Sequence, residues 1–239
     1  MRKKALITGA SRGIGAAIAD MLAKEGYDLV ITCKNSKESL ERQAGQLRGD
    51  YGVCCEAILC DASDPEQVDA MLGQIGNVDV LVNNAAVSYV GLLTDMSVEK
   101  WREVLDTNLS SLFYTCRGVL PGMVRRKKGK IVNISSVWGA VGASMEVAYS
   151  ASKGGVNSFT RALAKELAPS NIQVNAAAFG VIDTQMNRCF SQEERAALVE
   201  EIPADRMGTA AEAARLVGQI LHMPDYFTGQ VVTMDGGWI

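Results

Sequence analysis

The chain of 239 residues contains a single histidine, His222. A metal site built on two or three histidines is therefore excluded, and a Ser-His-Asp triad has only this residue to use as its base. The six cysteines form no CxxC pair, so the spacing of a zinc or thioredoxin-like site is absent as well. We expect no metal site and predict reduced, mostly buried thiols.

Neither an excess of charge nor a long apolar run is present, since 24 Lys and Arg face 27 Asp and Glu for a net charge of −3. This balance gives no reason to expect nucleic-acid binding, and 48% hydrophobic residues are typical of a globular protein. The first four residues, 1–4, are mostly basic, but the apolar stretch after them, Ala5–Ile7, is too short for a secretory signal. We therefore expect a cytoplasmic protein without a membrane segment.

Prolines are few, and short apolar runs alternate with longer helical patterns without a Pro/Gly/Ser-rich linker. This alternation predicts an α/β fold of Rossmann type, doubly wound, with a seven-stranded, mostly parallel sheet and helices on both faces. We expect one domain over residues 1–239, with a substrate loop at about 184–206 inside the least regular stretch, Phe179–Met207. The predicted strands are Ala5–Thr8, Leu29–Thr32, Val53–Leu59, Val78–Val82, Lys130–Ile134, Ile172–Ala176 and Gln230–Thr233. The predicted helices are Ile14–Lys24, Lys37–Arg48, Glu66–Ile75, Val98–Arg126, Ala148–Leu167 and Ala210–Leu221.

A glycine-rich turn, Thr8-Gly9-Ala10-Ser11-Arg12-Gly13-Ile14-Gly15, follows the first predicted strand and leads into an amphipathic helix. Glycines let the backbone turn tightly and approach a diphosphate closely, and the N-terminus of the helix favours its negative charge. On the first strand of a parallel sheet, the spacing GxxxGxG therefore indicates a dinucleotide site.

The same turn also matches the GxSxG nucleophile elbow of hydrolases through Ser11. Asp183 or Asp205, followed by His222, would give the chain order of such a triad. Against this alternative, Ser11 follows the first strand rather than a central one, and no HGGG-type oxyanion segment is present. A histidine at a helix end, between Leu221 and Met223, more often serves in capping or packing.

Tyr149 and Lys153 are four residues apart near the start of a predicted helix, so their side chains fall on one face. A tyrosine hydroxyl, with a pKa near 10, must lose about 3 pKa units to work near neutrality, and one ammonium at ~4 Å supplies about that much. Ser136, thirteen residues before Tyr149, follows the predicted strand Lys130–Ile134 at the edge where ligands bind. These three residues are candidates for proton transfer to a carbonyl.

The set Thr8-Gly9, Gly13-Ile14-Gly15, Asn83-Asn84-Ala85, Asn108, Ser136 and Tyr149 with Lys153, in this order and spacing, resembles the short-chain dehydrogenase/reductase family. The resemblance extends from Leu6 to the closing Asp235-Gly236-Gly237. It implies hydride transfer between a nicotinamide dinucleotide and a carbonyl or alcohol. By the same resemblance, Tyr149 is the general acid, Lys153 lowers its pKa and holds the nicotinamide ribose, Ser136 orients the carbonyl, and Asn108 anchors a water for proton resupply.

The resemblance also places the cofactor. Asp61 matches the position at the adenine edge, Asn83 the one that braces the sheet beside the ribose, and Ile182 and Thr184 those at the carboxamide. The full set of expected cofactor-binding residues is Gly9, Ser11, Arg12, Gly13, Ile14, Gly15, Cys33, Lys34, Asp61, Ala62, Asn83, Ala85, Tyr149, Lys153, Gly180, Ile182 and Thr184.

The choice between NAD(H) and NADP(H) follows from the residues at the end of the second strand. An NAD enzyme places Asp or Glu there for the ribose 2′-hydroxyl, and this chain has Cys33 instead. Arg12 and Lys34 supply two cations where a 2′-phosphate would lie, although both side chains are also ordinary for a solvated surface. We predict NADP(H), and with it carbonyl reduction as the direction of the reaction.

In two places the chain departs from the family pattern: Ala86 replaces a glycine, and Phe179 stands where proline usually precedes Gly180. Phe179 removes a rigid φ beside the nicotinamide, which bears on its placement. The tetrad of Asn108, Ser136, Tyr149 and Lys153 is nevertheless complete, which argues against a non-catalytic, cofactor-binding scaffold.

Within this family, the chain resembles the 3-oxoacyl-[acyl-carrier-protein] reductases most in its length and sequence pattern. Arg125–Lys128 with Lys130 is a candidate basic patch for an acidic carrier protein, although cations at a helix end are commonly solvated. A second basic residue expected before the sixth strand is missing, because the chain has Pro169-Ser170-Asn171 there. The alternative is a reductase of a free sugar, steroid or small ketone. The expected substrate-contacting residues are Ser136, Trp138, Met145, Tyr149 and Met186.

The chain ends in an apolar stretch, Val231–Ile239, which suggests a buried terminus. In the resembled family this surface commonly forms an interface between subunits. We therefore expect a homotetramer.

Overall fold

The computed structural model describes residues 2–185 and 191–239. Its strands are β1 (Lys4–Ile7), β2 (Asp28–Cys33), β3 (Cys55–Leu59), β4 (Val80–Asn83), β5 (Gly129–Ser136), β6 (Ile172–Phe179), β7 (Ile182–Asp183), β8 (Gly208–Thr209) and β9 (Val231–Met234). Seven of the strands in this described part form one sheet in the order β3-β2-β1-β4-β5-β6-β9, and every neighbouring pair is parallel. Strands β7 and β8 pair separately.

Helices cover both faces of the sheet: α1 (Gly13–Lys24), α2 (Lys37–Tyr51), α3 (Pro65–Ile75), α4 (Val98–Leu105), α5 (Ser111–Arg126), α6 (Trp138–Val141), α7 (Val147–Leu167), α8 (Gln192–Glu200) and α9 (Ala210–His222). One core joins α1, α2 and α9 to the sheet, and a second joins α3, α5 and α7. Alternate residues of β1 face opposite cores, since Ile7 belongs to the first and Leu6 to the second. The predicted Rossmann-type α/β architecture is confirmed.

The strand order reverses between β1 and β4, which lie side by side at the centre of the sheet. In open parallel sheets a crevice forms at this switch point, beyond the carboxyl ends of the strands. The glycine turn after β1, the Asn84 turn after β4 and Ser136 at the end of β5 therefore lie along one edge.

The helical stretch predicted over Val98–Arg126 has these bounds in the structure, but it is not one regular α-helix. The segment is two helices, α4 and α5, joined by one wide turn at Asp106–Ser110. The apolar periodicity continues through both helices and so hides the turn. Asn108 is buried within this turn, and its side chain bonds to the backbone of Val87. The wide turn thus brings an amide to the segment that follows β4.

The stretch predicted as least regular, Phe179–Met207, contains a helix in its described part. Helix α8 begins at a capping box, in which Ser191 and Glu194 bond to each other's backbone N–H groups. Ile202, after the helix, is fully buried. Met186, expected to contact substrate, lies outside the described residues.

The C-terminal segment differs from the buried terminus predicted for it. Ile239 is 54% exposed, and β9 is an edge strand of the sheet. The carboxylate of Asp235 accepts hydrogen bonds from the backbone N–H groups of Gly237 and Ile239, both at 3.0 Å. These bonds curl the tail back over the sheet, so that Trp238 contacts Trp138. In the described residues no helix is long and apolar enough to cross a membrane.

Candidate active site

A cavity of about 670 Å³ lies along the carboxyl edge of the sheet, beyond β1 to β6. It extends from the glycine turn to Tyr149 and has the size of a ligand site. Of the residues predicted from the sequence, those that line it are Gly9, Ser11, Arg12, Gly13, Ile14, Cys33, Lys34, Asp61, Ala62, Ala85, Ser136, Trp138, Tyr149, Lys153, Gly180, Ile182 and Thr184.

The glycine turn is held tightly against the end of β4. Gly9 has φ 65°, and a Cβ at Gly15 would lie 2.5 Å from the Gly9 carbonyl oxygen. Asn84 Nδ2 donates to the carbonyl oxygens of Thr8 and Gly9, at 2.9 Å each. The glycines therefore allow the turn to pack closely against the end of β4, while Gly9 and Gly13 border the cavity, where backbone and helix N-terminus can approach a diphosphate. Asn84 was not among the predicted site residues, although the Asn-Asn-Ala motif contains it.

Four predicted site residues stand apart from the cavity lining in the described structure: Gly15, Asn83, Asn108 and Met145. Asn83 is buried, donates from Nδ2 to Asn133 Oδ1 at 2.9 Å and accepts from Thr115 Oγ1 at 2.8 Å. Asn133 donates in turn to Thr160 Oγ1 at 2.9 Å. This buried chain of amides and hydroxyls joins α5, β4, β5 and α7, so Asn83 braces the sheet.

At the other end of the cavity, the predicted cation Lys34 is already paired. Its Nζ lies 2.7 Å from Asp61 Oδ2. Burial raises the pKa of Asp61, but hydrogen bonds from Lys34 and Ser63 outweigh it and hold the pKa below the usual range. Arg12 is exposed at the same end, and Cys33 is buried where an NAD enzyme has its acid.

Tyr149 and Lys153 lie on one face of α7, as predicted, with the Lys153 Nζ 5.6 Å from the centroid of the Tyr149 ring. Lys153 is almost fully buried and donates to the carbonyl oxygen of Ile134 at 2.8 Å. Ser136 is the last residue of β5, and its Oγ accepts from the backbone N–H of Trp138 at 3.2 Å. A phenol, an ammonium and a hydroxyl thus converge on the cavity wall.

The electrostatics of this pair differ from the expectation. Burial raises the pKa of Tyr149 to about 12, with Glu146 adding to the rise and a hydrogen bond with Ser136 opposing it. Burial also lowers the pKa of Lys153 to about 8. In the chain alone burial dominates, and Tyr149 therefore keeps its proton at neutral pH. A neutral phenol is the form that can donate a proton.

Asn108 links the segment after β4 to the start of α7. Its Nδ2 donates to the carbonyl oxygen of Val87 at 2.9 Å and to Ser152 Oγ at 3.1 Å. Ser152 Oγ donates to the carbonyl oxygen of Tyr149 at 2.7 Å. The amide of Asn108 thereby fixes the turn of helix that carries Tyr149.

Two tryptophans form a wall at the Tyr149 end of the cavity. The rings of Trp138 and Trp238 make an edge-to-face contact with centroids 4.8 Å apart. Trp238 and Glu146 were not predicted as site residues; they line the cavity with Trp138. Only the tertiary fold brings Trp238 here, since it lies 89 positions after Tyr149 in the chain. Met145, which was predicted, is 45% exposed and bonds through its carbonyl oxygen to Gly91 N–H at 2.8 Å.

The residues of the hydrolase alternative are engaged elsewhere. His222 Nδ1 lies 2.6 Å from the carbonyl oxygen of Gly218, and its Nε2 lies 3.4 Å from Glu25. Asp183 is paired with Arg195 at 2.7 Å. The described residues contain no cluster of three or more His, Cys, Asp or Glu side chains that could hold a metal ion. Within residues 2–185 and 191–239, His222 and Asp183 are therefore held by partners other than Ser11.

Phe179, the departure from the family pattern, does not interrupt its strand. It is the last residue of β6, is 3% exposed and pairs in register with Ser136 and Met234. Its carbonyl oxygen accepts from Val137 N–H at 3.0 Å. Phenylalanine therefore extends the strand to the cavity, where proline would remove a backbone donor.

A parallel sheet with this strand order, a glycine turn after β1 and a ligand-sized cavity at the switch point define a Rossmann-type protein. The model of the short-chain dehydrogenase family matches residues 3–195, and the chain belongs to this family of oxidoreductases.

Relatives cover nearly the whole chain. The chain is 40% identical to the uncharacterized oxidoreductase YmfI of Bacillus subtilis, covering 100% of this chain and 99% of that protein. It is 38% identical to the 3-oxoacyl-[acyl-carrier-protein] reductase FabG of Vibrio cholerae, over 98% and 96% of the two chains. A solved 3-oxoacyl-[acyl-carrier protein] reductase from Brucella melitensis matches with a TM-score of 0.92 at 36% identity, over 99% of this chain and 91% of that one.

Proposed function

We propose that this chain is an NADPH-dependent reductase that transfers hydride to the carbonyl of a 3-oxoacyl thioester, with Tyr149 as the general acid. The observation that carries the proposal is the convergence of Tyr149, Lys153 and Ser136 on a cavity that begins at the glycine turn. The names of the reductases from Vibrio cholerae and Brucella melitensis support a 3-oxoacyl thioester as the substrate.

The cavity residues fit a nicotinamide dinucleotide. All of these residues line the cavity: the glycine turn would hold the diphosphate, Asp61 and Ala62 would border the adenine, and Gly180, Ile182 and Thr184 would border the carboxamide. Arg12 is exposed beside this end of the cavity and favours a 2′-phosphate over a hydroxyl, because Cys33 provides no carboxylate at that position. Lys34 adds a second cation there, although its charge is shared with Asp61. When bound, the reduced nicotinamide supplies the hydride.

The protein's own part is to bind the carbonyl and move one proton. Ser136 donates a hydrogen bond to the carbonyl oxygen and stabilises the charge that develops there. Tyr149 Oη gives its proton to that oxygen, and in the chain without cofactor the phenol is protonated, which is the form that can donate. Lys153 offsets the negative charge left on the phenolate, and Asn108 anchors the water through which the proton is returned.

A second candidate, a reductase of a free ketone, sugar or steroid, is favoured by the position of the basic patch. Residues 125–128 end α5 and precede β5, so they lie at the opposite edge of the sheet from Ser136. At about 3.3 Å per residue, β5 separates the two by roughly 23 Å. Arg126 also bonds to Asp79, and Lys130 to the carbonyl oxygens of Leu221 and Met223. A carrier protein docked at this patch would have to deliver its acyl group over that distance to reach Ser136, which favours a substrate that needs no carrier.

The two candidates are separated by the rate of NADPH oxidation with matched carbonyl compounds. A thioester reductase is expected to have a kcat/KM for acetoacetyl-N-acetylcysteamine that is about tenfold or more above that for sugar, steroid and simple ketones. Its kcat/KM for the acetoacetyl-carrier protein is expected to be higher still. A preference for a free ketone supports the second candidate. Replacing Lys127 and Lys128 by Glu raises KM for the carrier-linked substrate alone if the patch is the docking site.

We also propose a cytoplasmic homotetramer with one domain over residues 1–239 and a substrate segment at 184–206. The half-exposed edge strand β9 and the exposed Ile239 support an interface at that edge. Light scattering on the purified protein measures the mass, and a monomer at micromolar concentration contradicts the proposed assembly.

A further inference from the structure

One carboxylate lies in the cavity wall beside the reacting centre and has no part in the chemistry described above. Glu146 lines the cavity three residues before Tyr149, at the residue that precedes α7. A side chain at this position often caps the helix, but Glu146 makes no such hydrogen bond. Its side chain interacts with that of Trp138 instead, and so belongs to the tryptophan wall.

The other charges in the cavity do not neutralise this carboxylate. Among the described residues that line the cavity, Arg12 lies at the opposite end, beside Lys34, which is paired with Asp61. Glu103 is paired with Lys100 at 2.6 Å. Lys153 points to the carbonyl oxygen of Ile134. No ion pair within 4.0 Å includes Glu146 in the described part of the chain. Burial raises the pKa of Glu146, while the interaction with Trp138 opposes the rise.

The field of this carboxylate reaches the reacting atoms. Glu146 raises the pKa of Tyr149 by its charge, so the two groups interact across the cavity wall. A negatively charged group on a bound compound, next to the reacting carbonyl, is therefore repelled by Glu146, and the repulsion is strong because the cavity wall is partly shielded from water. A neutral group there meets no such repulsion, and an N–H or O–H donor gains an acceptor.

We propose that Glu146 selects the substrate by charge: the pocket accepts a 3-oxo ester, thioester or amide, whose group next to the ketone is neutral, and rejects the corresponding 3-oxo carboxylate. The inference rests on the proposed reduction at Tyr149 and specifies its substrate class. At a separation of ~10 Å and an effective dielectric of about 20, repulsion between two carboxylates corresponds to about a tenfold difference in affinity.

The test compares ethyl acetoacetate with acetoacetate, which share one ketone and differ in the charge beside it. The kcat/KM ratio of ester to acid is measured at saturating NADPH for the wild-type protein and for Glu146→Gln, Glu146→Asp and Glu103→Gln. Glu146→Gln is expected to lower the ratio about tenfold, mainly through a lower KM for acetoacetate. Glu146→Asp keeps the charge and retains the ratio, and Glu103→Gln, which removes a carboxylate already paired with Lys100, leaves it unchanged.

Binding separates this inference from the proposed function. Dissociation constants for both compounds are measured by calorimetry on the NADPH-loaded Tyr149→Phe protein, with and without Glu146→Gln. If the wild-type protein turns over neither compound but binding still discriminates through Glu146, the proposed reduction fails and charge selection stands. An equal ratio in wild type and Glu146→Gln overturns the inference, and so does a pocket that binds neither compound.

Discussion

Replacing Lys153 by Met should make the chain more stable in the absence of cofactor. Lys153 is 2% exposed, and burial lowers its pKa from the ordinary value of 10.5 to about 8. This fall corresponds to a cost of about 3 kcal/mol for holding the ammonium in the folded chain. The variant also loses the hydrogen bond to Ile134, which stabilises the wild-type chain by about 1–2 kcal/mol and so offsets part of the gain. A net gain of about 1–2 kcal/mol in the free energy of unfolding is therefore expected at pH 7.

The pH dependence identifies the cause of the gain. Because the pKa of Lys153 is lower in the folded chain, the unfolded chain binds more protons between pH 8 and 10.5. The penalty is complete below pH 8 and disappears as the pH rises towards 10.5, so the difference between Lys153→Met and wild type should shrink over that window.

Urea denaturation without cofactor, at a series of pH values, measures both effects. The matched control is Lys165→Met, an exposed lysine on the same helix, which should change stability by less than about 0.5 kcal/mol at every pH. A Lys153→Met protein that is less stable than wild type, or a difference that does not vary with pH, refutes the reasoning.

Three further predictions concern the glycine turn, the cation and the buried network. Gly15→Ala should weaken NADPH binding more than tenfold, since its Cβ would lie 2.5 Å from the Gly9 carbonyl oxygen; unchanged binding by fluorescence titration contradicts this. Arg12→Ala should lower kcat/KM for NADPH about tenfold and leave that for NADH unchanged; an equal loss for both cofactors shows that Arg12 does not contact the 2′-phosphate. Asn133→Ala should cost about 2 kcal/mol in urea denaturation, because Asn83 and Thr160 lose their partner, and a cost below 0.5 kcal/mol removes the bracing role.

The sheet and most of the cavity lining follow from local patterns. The glycine turn after β1 needs only the spacing of Gly9, Gly13 and Gly15, and parallel crossovers then place each strand's carboxyl end at one edge. Ser136 and Tyr149, thirteen residues apart, line the same cavity for this reason.

What the sequence did not indicate depends on long-range contacts. The wide turn at Asp106–Ser110 forms where Asn108 bonds to Val87, a partner 21 residues away that helical periodicity cannot indicate. Trp238 reaches the cavity because Asp235 curls the tail. The charge of Lys153 can be seen in the sequence, but the burial that raises the pKa of Tyr149 arises only in the folded chain.

The measurement that tests the central claim most directly is the turnover of Tyr149→Phe, compared with its affinity for NADPH. If Tyr149 is the proton donor, the variant binds NADPH as wild type does and loses NADPH oxidation by a hundredfold or more with the best carbonyl substrate. Turnover within a few-fold of wild type, at unchanged affinity for NADPH, contradicts the assignment of Tyr149 as the general acid.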